Sequence, residues 1–354
     1  MNSVDEDSVF VELSRVLEKN PLKLNNWERL INHLLENYYK NEKLSIGERK
    51  DVLPLLRTTY KAMLLIFPYL ENYVIEYGNM EFIEGNYKQF HLVYKEGLKK
   101  INNRSLLLWV SYLKMIIEEQ VCLKLENKFI LHKLREAEGY IGRHFHSQSF
   151  WTIYLLFLKK TCISNPKLYF DKLKDILKII NYDFAYNFRI LFKELDSVND
   201  MKQLKMFYDI KRIEPPKLLK PREKLELLKY KIKKVYKEEY KKIEKKVMIL
   251  YNNYELPLTL YKQSNLYYTS PKIPLSPKFV QIWLTYISYA ISTKDKYYIM
   301  LIFQRALLSS SIAHSKVIWM EYIKWLISCN DRVSAKEILN QSSLFIVSKK
   351  FIKK

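Results

Sequence analysis

Apolar and aromatic positions along this chain recur at intervals of three and four, the spacing that places side chains on one face of an α-helix. The tryptophans carry the clearest mark. Four of the six are followed three residues later by tyrosine, as Trp109/Tyr112, Trp151/Tyr154, Trp283/Tyr286 and Trp319/Tyr322. With 28 tyrosines in 354 residues, chance gives about half of one such pair. Two rings at this spacing share a helix face, so each pair predicts a helix that buries an aromatic wedge against a neighbour. Around Trp27, Leu30 and Ile31 stand in the equivalent places.

These helices are periodic. Trp109 and Trp151 are 42 residues apart, Trp283 and Trp319 are 36 apart, and Tyr73 precedes Trp109 by 36, which is the period of a helix-pair repeat. The second helix of each pair has its own mark, a small residue followed by leucine. Phe303-Gln304-Arg305-Ala306-Leu307 shows it best, with Tyr94-Lys95-Glu96-Gly97-Leu98 and Ala335-Lys336-Glu337-Ile338-Leu339 as looser versions. Small residues such as Gly97 and Ala306 are expected to let adjacent helices approach closely. The aromatic stripes read as core rather than chemistry, because a lone helix pair cannot bury its apolar face and must stack on the next. The fold class expected is all-α, a superhelical solenoid of antiparallel helix pairs.

Two stretches interrupt the pattern. Residues 211–246 hold 15 basic and 6 acidic residues, with Pro215, Pro216 and Pro221 marking a break before one long helix. Leu225, Leu228, Ile232, Val235, Ile243, Val247 and Leu250 give that helix an apolar face. Lys229, Lys231, Lys233, Lys234, Lys237, Lys241, Lys242, Lys245 and Lys246 are its candidate polyanion contacts, since ammonium groups attract phosphates without reading base sequence. A merely solvated face is the competing reading. Residues 255–278 hold Pro257, Pro271, Pro274 and Pro277 among Ser, Thr and Tyr, and read as an irregular connector. The expected organisation is a repeat array over 1–210, the basic region over 211–254, the connector over 255–278 and the start of a second array over 279–354.

Composition supports helix, with only 6 glycines and 11 prolines in 354 residues. The formal net charge of +22 points to a polyanionic partner, RNA or a strongly acidic protein surface, although AT-rich codon usage also enriches lysine. Cys122, Cys162 and Cys329 are scattered and odd in number, which argues against a disulfide framework and for a reducing compartment. The acidic start MNSVDEDSVF has no basic region leading into an apolar core, so no secretory signal is expected. The most apolar stretch, 62–70, is about half of the roughly 20 residues a membrane span needs, and Pro68 interrupts it. An intracellular protein without membrane attachment is expected.

Little in the chain suggests catalysis. His144 and His146, with His132 nearby, form the one histidine cluster, and a metal would need further ligands, so a capping or packed histidine before Trp151 is the expectation. No phosphate-cradling glycine motif or nucleophile elbow occurs. Carboxylate pairs such as Glu118/Glu119 and Glu238/Glu239 sit among lysines and read as solvated charges. No catalytic residue, cofactor or metal is expected.

The repeat period, the Trp-x-x-Tyr first helices and the Phe-Gln-Arg-Ala-Leu second helix resemble HAT repeats, the half-a-TPR units of RNA-processing scaffolds. Residues 67–73 (FPYLENY), 104–109 (RSLLLW), 137–142 (AEGYIG) and 303–308 (FQRALL) are similar, in this order, to the paired HAT-repeat pre-mRNA-processing proteins of the yeast U1 snRNP. The resemblance runs from about Trp27 to Leu339. It implies a non-enzymatic nuclear scaffold of the U1 snRNP that supports 5′ splice-site recognition. It implies as partners a HAT-repeat paralogue, the U1-C protein and other U1 proteins, with U1 RNA or pre-mRNA also in reach of the lysines. The family pairs through a further C-terminal array, and the sequence stops at Lys354, so dimerisation is not carried over. A HAT scaffold of mRNA 3′-end or ribosomal RNA processing stays open, as does a basic RNA-acting enzyme.

Overall fold

The computed structural model describes residues 3–40, 46–162, 166–213, 220–261, 276–309 and 313–346. Among them every regular element is helical. The chain runs through α1 (Ser3–Lys19), α2 (Leu24–Lys40), α3 (Ile46–Ile66), α4 (Glu71–Ile83), α5 (Tyr87–Lys100), α6 (Leu106–Glu118), α7 (Asn127–Ile141), α8 (Gln148–Thr161), α9 (Lys167–Ile176), α10 (Phe184–Asp196) and α11 (Met201–Phe207). After a 3-10 turn at Ile210–Ile213 come α12 (Pro221–Leu250), a π turn at Tyr251–Glu255, α13 (Leu256–Leu260), α14 (Pro277–Ser292), α15 (Lys296–Leu308), α16 (Lys316–Ser328) and α17 (Arg332–Ser342). No described helix is long and apolar enough to cross a membrane.

The signature residues fall on the even-numbered helices. Trp27, Trp109, Trp151 and Trp319 are each the fourth residue of α2, α6, α8 and α16, and Leu30, Tyr112, Tyr154 and Tyr322 each the seventh. All eight are buried. On α14, which starts one turn earlier, Trp283 and Tyr286 are buried likewise and stack with their ring planes 9° apart. The second-helix mark lies on α5, α15 and α17, so the alternation of marks in the sequence is an alternation of helices in the fold.

Tyr73 corrects the register. It is the third residue of α4, half-buried, and its hydroxyl donates to Glu28 Oε1 at 2.8 Å. Val74 and Tyr77 occupy the fourth and seventh places and are buried. A valine leaves space where other repeats have an indole, and the neighbouring helix closes it. A Cβ on Gly97 of α5 would lie 2.6 Å from Val74 Cγ1, so only glycine permits this approach. On α15, Ala306 is fully buried, and the Arg305 guanidinium lies 6.0 Å from the Trp283 ring centre and donates to the Tyr286 hydroxyl at 3.3 Å.

Sequence patterns could not show how the tryptophans are held. The indole N–H of Trp27 donates to Pro21 O (2.7 Å), that of Trp151 to Gly142 O (3.0 Å) and that of Trp319 to Ala313 O (2.6 Å). In each case the acceptor lies in the loop entering the helix. The ring therefore fixes the inter-helix turn while filling the core, and the carbonyl satisfies an indole N–H that burial would otherwise leave unpaired.

By contacts the chain forms two compact units. One comprises residues 1–108, 261–295 and 302–354, the other residues 109–260 and 296–301. In the first unit α1 packs on α2, α2 on α3, α3 on α4 and α4 on α5, while α16 packs on α17. There Tyr77 stacks on Tyr60 of α3 and Tyr322 on Phe303 of α15, each with planes within 8°. The seventh-position tyrosine thus meets an aromatic ring of the preceding helix in both places. The loop after α5 meets α15 and α17 through Asn102, whose amide bonds Gln304 and Gln341. In the second unit α9 packs on α8, α10 and α11, α12 packs on α10 and α11, and Asn187, fourth in α10, exchanges two amide hydrogen bonds of 2.9 and 3.0 Å with Gln148 of α8.

Of the stretch 255–278 read as a connector, residues 255–261 and 276–278 are described. Helix persists to Leu260 through Pro257. The π turn just before it is the kind of local adjustment that accommodates a residue lacking an N–H. Pro271 and Pro274 lie outside the described residues, as do Pro215 and Pro216.

Candidate nucleic-acid interface

Helix α12 starts where its sequence dictates. Pro221 takes the first helical position, where a missing N–H costs nothing, and Glu223 accepts from the Lys220 backbone N–H at 3.3 Å. Its 30 residues hold no glycine and no further proline. Leu225, Leu228, Ile232, Tyr236, Ile243, Val247 and Leu250 are buried, and the helix packs on α10 and α11. At roughly 1.5–3 kcal/mol for a fully buried large aliphatic side chain, this face alone secures the docking. Val235 is only half-buried. Tyr236 donates to Phe207 O at 2.7 Å, and burial pushes its hydroxyl up to about 12. Tyr240 packs on Phe184 and Phe188 of α10.

The nine candidate lysines separate into four groups. Lys229 leaves the surface altogether. It is 6% exposed, and its ammonium donates to Glu226 at 3.0 Å and to the Asp196 carbonyl at the end of α10. A cation at a helix C-terminus complements the exposed carbonyl dipoles, so Lys229 docks α12 on α10 and is unavailable to phosphate. Its neighbour Lys233 pairs with the Asp196 carboxylate and does similar work. Lys241 and Lys242 pair with Glu238 and Glu239 at 3.2 and 2.9 Å but stay about two-thirds exposed, so these pairs are weak and exchangeable. Lys231 is half-buried and has a partner of its own. Lys234, Lys237, Lys245 and Lys246 are exposed and have no carboxylate partner among the described residues.

Beside the helix lies a groove of about 580 Å³ between α9 and α12, lined by Lys174, Lys178, Tyr236, Ile243 and Lys246 with Asp171, Asp175 and Glu239. Its acids are already engaged, Asp171 with Lys174, Asp175 with Lys178 and Glu239 with Lys242. The groove is therefore close to neutral, whereas Lys234, Lys237 and Lys245 stand exposed on the outward face of α12.

The histidines do not assemble a ligand set. His144 Nδ1 accepts the His146 backbone N–H at 3.0 Å, closing the loop before α8, and His146 faces Glu255 at 3.7 Å and the Tyr182 ring. Among the described residues no group of three or more His, Cys, Asp or Glu could hold a metal ion. Cys122 and Cys329 are exposed and Cys162 half-buried, all as free thiols. Glu118 is exposed beside Lys114.

With this geometry in hand, comparison with known proteins gives consistent matches. The family model of the PRP39 N-terminal HAT repeat matches residues 11–193, more than half of the chain. The U1 small nuclear ribonucleoprotein component PRP42 of Saccharomyces cerevisiae is 33% identical over 353 residues, covering 97% of this chain and 62% of the yeast protein. The pre-mRNA-processing factor 39 of Danio rerio is 26% identical over 166 residues, covering 46% of this chain and 20% of the fish protein. The chain therefore spans somewhat under two thirds of the yeast relative's length.

Proposed function

Because the chain belongs to the PRP39 N-terminal HAT-repeat family, we propose that it is a non-enzymatic scaffold subunit of the U1 snRNP, acting in the nucleus when the 5′ splice site of pre-mRNA is first recognised. The observation that carries this reading is 33% identity to a yeast U1 component over 97% of the chain. The way the sequence is used supports it. The signature tryptophans and tyrosines are buried between helices, with Gly97 and Ala306 at close approaches, and such stacks leave extended surfaces free for partners. Its work is to hold a HAT-repeat paralogue, the U1-C protein and other U1 proteins in a fixed arrangement.

Affinity purification of the tagged chain from its native cell, followed by identification of the bound RNA and protein, tests the proposal. U1 RNA with U1 proteins is the expected recovery. Polyadenylation factors or pre-ribosomal RNA without U1 RNA would assign the scaffold to another pathway.

A further inference from the structure

The outward face of α12 carries a row in strict helical register. Tyr230, Lys234, Lys237, Lys241 and Lys245 follow one another at intervals of four, three, four and four residues, which places all five side chains on a single line. Lys234 to Lys245 spans about 16 Å at the helical rise. The line faces away from the docked side, since the residues opposite, Ile232, Tyr236, Ile243 and Val247, are buried. Three of its four ammonium groups have no carboxylate partner among the described residues, and the fourth, Lys241, holds only an exposed pair with Glu238. At its head Tyr230 is 67% exposed, a large ring that contributes nothing to the core.

We propose that this row binds single-stranded RNA, with the lysines following the phosphate backbone and the Tyr230 ring stacking on a base. The choice of RNA rests on the ribonucleoprotein reading above, and the row's own chemistry favours it over an acidic protein. An acidic peptide would be met by charge alone, whereas an exposed aromatic ring in line with unpaired lysines offers both contacts that sequence-tolerant single-strand binders use. A duplex hides its base faces and would leave Tyr230 idle.

Fluorescence anisotropy of the full chain with a labelled 20-nucleotide uridine strand, repeated over a range of salt, separates the two contacts. Each phosphate neutralised on a single strand contributes about 0.7 to the slope of log affinity against log salt, so K234Q/K237Q/K245Q is expected to lower that slope by about two. The control set K88Q/K202Q/K336Q, exposed lysines elsewhere, is expected to leave it nearly unchanged. Tyr230→Leu is expected to weaken binding about tenfold with no change of slope, and Tyr230→Trp to retain it. An equal fall in slope for the control set would show that net charge alone binds RNA and would overturn the proposal. So would unchanged affinity in Tyr230→Leu, or a polyglutamate peptide that binds as tightly as RNA and is lost in the same lysine variant. A negative result leaves U1 co-purification unaffected, and absence of U1 in that purification leaves RNA binding by the purified chain measurable, so the two proposals fail separately.

Discussion

Asn102 and Gln341 exchange a reciprocal pair of amide hydrogen bonds, each 3.0 Å long, and so join the loop after α5 to α17 across 239 residues of sequence. Asn102 also donates to Gln304 of α15 at 2.8 Å and sits at φ 52°, a left-handed conformation that asparagine tolerates better than most residues. Nearby, the buried Arg104 donates to Asn102 O at 2.7 Å. The junction is polar, and its partners come from both ends of the chain.

Replacing Asn102 with alanine removes three amide bonds and a residue suited to positive φ. A loss of about 2–3 kcal/mol is expected, against about 1 kcal/mol for Gln341→Ala. Urea unfolding followed by tryptophan fluorescence measures both, and the double variant is expected to show coupling of about 1 kcal/mol. Strict additivity would mean that the amide pair contributes nothing to joining the two segments.

Two helical glycines are expected to respond to alanine in opposite directions. Gly139 of α7 is exposed, with nothing within 4 Å of an added Cβ, so Gly139→Ala gains helix propensity and raises stability by about 0.8–1 kcal/mol. Gly97→Ala gains the same propensity but drives a methyl into Val74, and is expected to lose about 1–2 kcal/mol overall. Pairing it with Val74→Ala relieves the clash. Thermal unfolding of the three variants reads the signs directly.

Glu71, in the first turn of α4, accepts a hydrogen bond from Ser105 Oγ. Burial raises its pKa above the ordinary carboxylate value, and the Ser105 bond only partly opposes this. The unfolded chain therefore releases this proton at lower pH than the folded one. Between the unfolded and the raised folded pKa the native state holds more protons, so stability from this group falls as pH rises through that window and the penalty is complete above it. Glu71→Gln is expected to melt higher than the natural protein at pH 7 and to converge with it near pH 4. A variant that melts lower at pH 7 would show that the charged form is favoured in place.

How much of this was legible in the sequence depended on whether the signal was local. Trp27, Trp109, Trp151, Trp283 and Trp319 announced their helices because a large ring at helical spacing has few uses besides the core. The register slipped at Tyr73 because the residue in the tryptophan's place is Val74, and its compensation, Gly97, lies on the next helix. Periodicity put the apolar face of α12 where it is, yet counted Lys229 with the solvent-facing lysines. Its burial depends on where α10 ends, which only the tertiary arrangement sets. The amide pairs 102–341 and 148–187 had no local mark at all, since a glutamine at a helix start and an asparagine in a loop are ordinary surface choices.

The claim that this chain is a U1 scaffold meets its most direct test at the 5′ splice site. The chain is depleted from a splicing-competent extract of its own cell, and U1 RNA recovered on a tethered pre-mRNA is measured before and after the purified protein is added back. The account predicts that depletion lowers the U1 RNA on the substrate and that add-back restores it. Unchanged U1 recruitment, with mRNA 3′-end cleavage or ribosomal RNA processing failing instead, would contradict it.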